Sequence, residues 1–438
     1  MTHASQAHGT KWYWAFFTSK VAMGASSALV PLFVIKVLGG GVAEVTIVAI
    51  AATISTVPAY ILWGAYVDRA QKARGPLLWG KGGETVCYAA MAVAPTFWAF
   101  VAANLAAGFF VAATTPTSTI LILENTPKNQ HARAIGYFTK INGVGWVAGT
   151  VLGAVYFAFV PDLIGTTHAT EYAMRLLMGV CAALFAASWA MSARWLKEPA
   201  FKFDHRWFKK EVLRMHTTYV ERPRYLPSQF YSTPGKISKA RRSGPFWTGT
   251  LDLYLVASFL VFVGFLTFYT PFPVMLSKGI HLNDSQIFIV YLASSVMAAA
   301  LYMWAGREVE RIGNQRVQLG AWVIRIFVFL AFGLALLAAD LHHPHLAFAL
   351  AAGLNGLAGA MYALISVAGT TTVTRLAPEN IHGEVIGAYN AVIGVGIVVG
   401  GVIGGVVAAT YGWWAVLAVT GGFIALAALL LAMIEMRD

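Results

Sequence analysis

The sequence predicts an all-α membrane protein of twelve transmembrane helices, built as two parallel six-helix repeats with both termini on the cytoplasmic side. Three observations predict it: apolar runs of bilayer length, a one-sided distribution of Lys and Arg, and an internal repeat that lays the second half of the chain on the first.

Of 438 residues, 58% are hydrophobic and 11% charged, with a mean hydropathy of +0.65. A soluble domain carries about a quarter charged residues and has no core large enough for so much apolar side chain. The excess falls in runs of about 20 residues, each long enough at about 1.5 Å per residue to cross roughly 30 Å of hydrocarbon. The runs predict spans at 12–35, 43–66, 77–95, 97–123, 134–160, 172–193, 247–274, 285–305, 317–339, 345–374, 385–410 and 412–435. The first is too long for a signal peptide and lacks a small-residue cleavage site before a polar chain, so it reads as a span. A polar stretch follows the sixth span, with 13 Lys or Arg against four acids over 194–245. It divides the chain into an N-terminal bundle (1–193), a basic cytoplasmic linker (194–246) and a C-terminal bundle (247–438).

Lys and Arg are retained on the cytoplasmic face of a membrane. With the N-terminus inside, 24 of the 31 basic residues fall in cytoplasmic segments, while Lys36 and Lys278 stand in the opposite loops and Arg175 at the outer end of span six. The net charge of +12 is thus mostly topology, and nucleic acid is not an expected partner. A cell-membrane protein with the lipid bilayer as its solvent follows. Within the linker, Arg206 to Arg214 mixes basic and apolar residues in a way suited to an anionic leaflet.

A shift of 242 residues lays Pro31 on Pro273, Lys36 on Lys278, Gly64 on Gly306, Arg69 on Arg311 and Arg74 on Arg316. Further along, a shift of 251 lays His131 on His382, and Gly136, Gly145, Gly149 and Gly153 on Gly387, Gly396, Gly400 and Gly404. Each copy holds six spans, an even number, so the copies face the same way and a path is expected where they meet.

The loops after spans two and eight carry Gly64, Asp68, Arg69 and Arg74, then Gly306, Glu310, Arg311 and Arg316. Both resemble the G-x-x-x-D-R-x-G-R-R loop of the major facilitator superfamily. The glycine series on spans five and eleven resembles the stretch that antiporters of that superfamily carry on span five, although Thr150 and Gly401 stand where its proline would be. The resemblance covers nearly the whole chain. It implies a secondary transporter of a small organic solute, working by alternating access as a monomer, with a charged latch in those loops. Asn104 before Gly108, and Asn355 beside Gly356, stand where proton-coupled drug exporters of the family place an arginine in span four.

Ionisable side chains inside a bilayer cost about 2.5–3.5 kcal/mol each on insertion scales and are functional candidates. Lys20 lies about nine residues, roughly 13 Å, into span one, and Lys140 about seven residues into span five. If the family architecture applies, both face the cavity and favour an anionic or carboxylate-bearing solute, unless Asp252 or Glu84 neutralises one of them. Lys81 and Glu84, three apart on one helix, are expected to pair. Asp252 and Glu84 are the candidates for ion coupling. Arg325, deep in span nine, reads as one partner of a salt bridge or a latch. Tyr137, Asn142, Asn104, Asn355, Tyr362, Tyr389 and Asn390 complete the candidate binding set. No nucleotide-binding loop, metalloprotease helix or serine-nucleophile elbow is present, so an enzyme is not expected. Neither a metal nor a cofactor is expected, since Cys87 and Cys181 are too far apart for ligand spacing. The competing readings are a proton-coupled exporter of amphiphilic or cationic compounds, and a scaffold or sensor that uses the basic linker and has no cavity between its halves.

Overall fold

The structure, a computed structural model, describes residues 11–70, 73–125, 131–164, 169–196, 249–376 and 382–434, apart from some side chains within helices. The basic linker lies outside the described residues. The described residues form helices throughout and no strands. In chain order these are α1 (Tyr13–Lys36), α2 (Val42–Ala70), α3 (Arg74–Ala92), α4 (Phe97–Asn125), α5 (His131–Ile164), α6 (Ala169–Trp195), α7 (Gly249–Tyr269), α8 (Asp284–Ile312), α9 (Asn314–Asp340) and α10 (Pro344–Leu376). The last helical stretch, His382–Ala432, is interrupted at Gly412 (φ 78°, ψ −174°), where glycine alone adopts the backbone cheaply. Its two limbs, 382–411 and 413–432, are α11 and α12.

The helices follow the predicted apolar runs to within a few residues at most ends, with α3 ending at Ala92 and α7 at Tyr269, ahead of the predicted ends. Among the described residues, nine helices are long and apolar enough to cross a membrane. Three predicted spans do not add to that number. Over its described residues α2 gives the shorter apolar stretch Val42–Thr56, α3 is made less apolar by Lys81 and Glu84, and α11 and α12 run together across Gly412.

Prolines explain where the two halves differ. Pro31 is carried inside an unbroken α1, whereas its counterpart Pro273 is preceded by Pro271, and α7 stops at Tyr269. Two prolines so close together remove two backbone donors. The chain then continues through the short Phe272–Val274 helix and a π-helical turn at Met275–Gly279. A capping box restarts it: Asn283 Oδ1 accepts from the Gln286 amide at 2.8 Å, and the Asn283 amide donates to Gln286 Oε1 at 3.0 Å.

The packing is repeated as faithfully as the sequence. Helix α1 packs on α5 and α6, α2 on α4, and α3 on α4 and α6. Likewise α7 packs on the α11–α12 stretch, α8 on α10, and α9 on α10 and the α11–α12 stretch. Glycines let these backbones touch, as lipid-embedded helices require when no hydrophobic effect drives them together. A methyl at Gly149 would overlap the carbonyl of Val21, and one at Gly400 would overlap the carbonyl of Val263. Gly108 lies in the same way on Ala52, and Gly359 on Ser294. All four contacts exchange under the 242 and 251 shifts, so the two halves share one internal arrangement.

These seams predict a sharp position dependence. Gly149→Val or Gly400→Val must force two backbones apart and is expected to cost about 1–3 kcal/mol or more. Gly179→Ala, on α6 with open space beside it, should leave stability within about 0.5 kcal/mol or raise it. Thermal unfolding of the detergent-purified variants checks the contrast.

Candidate functional site

The halves meet through α5 against α8 and α2 against α11. Their polar contacts gather at one end of the bundle, where α1 and α5 finish and α2 and α8 begin. Lys36 reaches across to Asp284, with Nζ to Oδ1 at 3.8 Å. Its repeat counterpart Lys278 reaches back and donates to the Gly40 carbonyl at 3.2 Å. The Ser285 hydroxyl donates to the Ala154 carbonyl at 3.1 Å, and Phe157 stacks on Phe288 with centroids 5.4 Å apart. Gly153 packs against the Phe288 ring and Gly405 against Thr46, so the end is closed to side-chain contact.

Directly inside this closure lies a cavity of about 350 Å³, walled by both halves: residues of α1, α2, Tyr88 of α3, Asn104 of α4 and Trp146 of α5 on one side, and Leu266 to Pro273 with Tyr291 of α8 on the other. Its polar side chains are Ser26, Ser27, Tyr88, Asn104, Trp146, Tyr269, Thr270 and Tyr291, and no Lys, Arg, Asp or Glu lines it. Of the predicted binding residues only Asn104 is in this wall. Lys20 lies at the α1–α5 crossing, its ammonium 3.4 Å from the Met23 sulfur. Lys140 and Tyr137 are exposed near the opposite end of α5, with Tyr137 also 6.0 Å from the Tyr13 ring. Asn142 holds a buried Oδ1 with no partner among the described residues. Tyr362 and Asn390 are exposed. Tyr389 stacks on Tyr254, whose hydroxyl bonds to Gln318.

Asn104 and Asn355 do the same structural task in the two halves. Asn104 Nδ2 donates to the Val48 carbonyl at 2.8 Å, tying α4 to α2. Asn355 Nδ2 donates to the Val290 carbonyl, also at 2.8 Å, tying α10 to α8. Val48 and Val290 are themselves 242 apart. Such bonds average about 0.6 kcal/mol in membranes, and here they fix the register of the glycine seams.

Two expectations about buried charge are corrected. Lys81 and Glu84 do not pair directly. The Lys81 ammonium instead donates to the Ser188 hydroxyl, to Ser19 Oγ at 3.3 Å and to the Ala15 carbonyl at 3.4 Å, and it stands 4.2 Å from the Phe16 ring centroid. Helix geometry allows the i,i+3 pair, but acceptors on α1 and α6 lie nearer the end of the Lys81 side chain. The Glu84 carboxylate, 1% exposed, keeps one oxygen without a partner among the described residues and lies in electrostatic reach of both Lys81 and Lys20. Arg325 likewise has no acid partner among the described residues. Its guanidinium sits 4.0 Å from the Phe265 ring centroid and 5.1 Å from that of Phe329, and Nη2 donates to the Tyr269 hydroxyl at 3.2 Å. Aromatic faces supply up to about 2 kcal/mol or more to a desolvated cation, which offsets much of the burial cost.

The loop residues predicted as a latch are partly described. Gly64, Asp68 and Arg69 occupy the end of α2, with their side chains outside the described residues. Arg74 ties α3 to α6, donating to the Ala193 carbonyl at 2.7 Å. In the second copy Gly306 and Glu310 lie on α8 and Arg316 on α9, while Arg311 pairs with Glu308 at 3.5 Å on its own helix. Asp252 is half-buried in the first turn of α7. Sequence reasoning missed Ser27, Trp146, Tyr269, Thr270 and Tyr291 as cavity residues; the 242 shift, which places Ser27 on Tyr269, held a signal for two of them.

Comparison with solved structures agrees with this arrangement. The chain superposes on the nucleoside transporter NupG with a TM-score of 0.69 at 15% identity, covering 98% of this chain and 100% of that one. The xylose transporter XylE from E. coli, in an inward open conformation, matches with a TM-score of 0.66 at 15% identity, covering 97% and 96%. A bacterial homologue of the iron transporter ferroportin, in an inward-facing state, gives 0.70 at 12% identity over the whole of both chains. At such identities the likeness is one of fold. The sequence model of the Major Facilitator Superfamily matches residues 13–356, and this multi-pass membrane protein belongs to that superfamily.

Proposed function

We propose that the chain is a secondary transporter of a small organic solute, working by alternating access as two six-helix bundles that rock against each other. The observation that carries the reading is the cavity walled by both halves and sealed at one end. A scaffold or sensor has no need of such a space. The retention of Lys and Arg on one face supports twelve spans in the cell membrane with both termini cytoplasmic, which makes the sealed end the outer one. The functional unit is the monomer, because the cavity is completed within one chain. The structural neighbours named for nucleoside and xylose transport support a small-molecule cargo of this scale.

Proton coupling acts through Glu84, the buried carboxylate on α3 whose charged surroundings are Lys81 on its own helix and Lys20 on α1. The decisive experiment is flux into proteoliposomes. A solute gradient should drive uptake, and an imposed pH gradient should drive accumulation that Glu84→Gln abolishes while downhill exchange survives. Wild-type flux that ignores the pH gradient removes the coupling, and the absence of flux for every solute tried removes the transport reading.

The reciprocal lysines at the sealed end give a second prediction. With Cys87 and Cys181 both replaced by Ala, Ser27→Cys should react slowly with an impermeant thiol reagent added outside. Adding Asp284→Lys should speed labelling several-fold, and Lys36→Asp on top of it should restore the slow rate. Labelling indifferent to these charges would show that the pair does not hold the end shut.

A further inference from the structure

At the cavity wall the repeat departs from itself beside its paired asparagines. In the second half Tyr269 fills the space beside Asn355, and its hydroxyl donates to Asn355 Oδ1 at 3.3 Å. The first half holds the same asparagine, Asn104, tied to the same backbone position, but the residue 242 places before Tyr269 is Ser27. Serine is too short to reach. Its hydroxyl turns back to the Gly24 carbonyl at 2.7 Å, and both Ser27 and Asn104 face the cavity. Asn104 Oδ1 therefore has no hydrogen-bond donor among the described residues, where its twin is satisfied by a phenol.

From this asymmetry we infer that the cavity binds an uncharged, hydroxyl-bearing organic solute, whose O–H takes the place on Asn104 Oδ1 that the Tyr269 hydroxyl takes on Asn355. The inference rests on the transport reading and names the class of its cargo. The wall supports it in two ways. It carries no charged side chain, and a bound ion would pay desolvation with no opposite charge to repay it. It also presents both kinds of hydrogen-bonding group: Asn104 Oδ1 accepts, Trp146 Nε1 donates, and the Thr270 and Tyr291 hydroxyls do either, none of these atoms being engaged by another described residue. An anion would need donors alone and a cation acceptors alone, whereas a neutral hydroxylated solute uses both. The apolar and aromatic remainder, Met23, Val48, Leu266 and the Trp146 ring, suits a flat or weakly polar face.

The test is ligand-induced thermal stabilisation of the detergent-purified full chain, using D-ribose, uridine and phenol as uncharged probes, benzoate as an anion and tetramethylammonium as a cation. An uncharged probe should raise Tm in a concentration-dependent way and the ions should not. Ser27→Tyr, which copies the second half into the first, should abolish the shift, and Ser27→Ala should keep it. If the tyrosine variant does not fold, Trp146→Phe, which removes one donor and little volume, should weaken binding of the same probe about tenfold, or roughly 1.4 kcal/mol. A shift confined to benzoate or tetramethylammonium, a shift that persists in Ser27→Tyr, or no shift from any uncharged probe would overturn the inference. Flux in proteoliposomes reports on transport separately, so uptake of an ion alone would sink the solute class and leave the transporter standing.

Discussion

Inside a bilayer there is no water to satisfy a stray polar group, and that constraint organises this molecule. Helices approach until backbone meets backbone at the glycine seams, and the polar side chains between them are pinned to specific carbonyls. Gly149 on Val21 and Gly400 on Val263, Asn104 on Val48 and Asn355 on Val290, are one solution used twice. Because each contact is short and directional, neither copy can drift in register without losing several at once. Departures from the repeat therefore stand out against a strict background.

One departure falls where the halves meet. Tyr269 against Ser27 leaves a polar space on one side of the bundle and a filled, arginine-braced cluster on the other. Arg325 holds the Tyr269 hydroxyl from behind, with Phe265 and Phe329 on its flanks. The first half presents the open asparagine. Lys81, bound to Ser188 and Ser19, braces α3 against α1 and α6 beneath it.

Much of the architecture was legible in the sequence because lipid imposes simple lengths and periodicities. The apolar runs predicted the helices, and the two shifts predicted two copies of one arrangement with a path where they meet. Side-chain partners were harder to read. Lys81 lies three residues from Glu84, yet its acceptors come from residues 66 and 107 positions away, and no helix-face rule reaches that far. The cage around Arg325 is likewise assembled from α7 and α9. Depth in a span marks a charged residue as costly without saying which wall it faces, so Lys20 and Lys140 were natural candidates and still lie outside the cavity lining.

The claim beneath the account is that the two bundles move relative to each other about a space they share. Spin labels at Leu163 on α5 and Leu341 after α9, exposed positions at the sealed end of opposite halves, report that motion through their separation by pulsed electron resonance in liposomes. The account predicts two distance populations, with the longer one gaining weight when a transported solute is added. A single separation, unchanged by any solute that the protein carries, would contradict it.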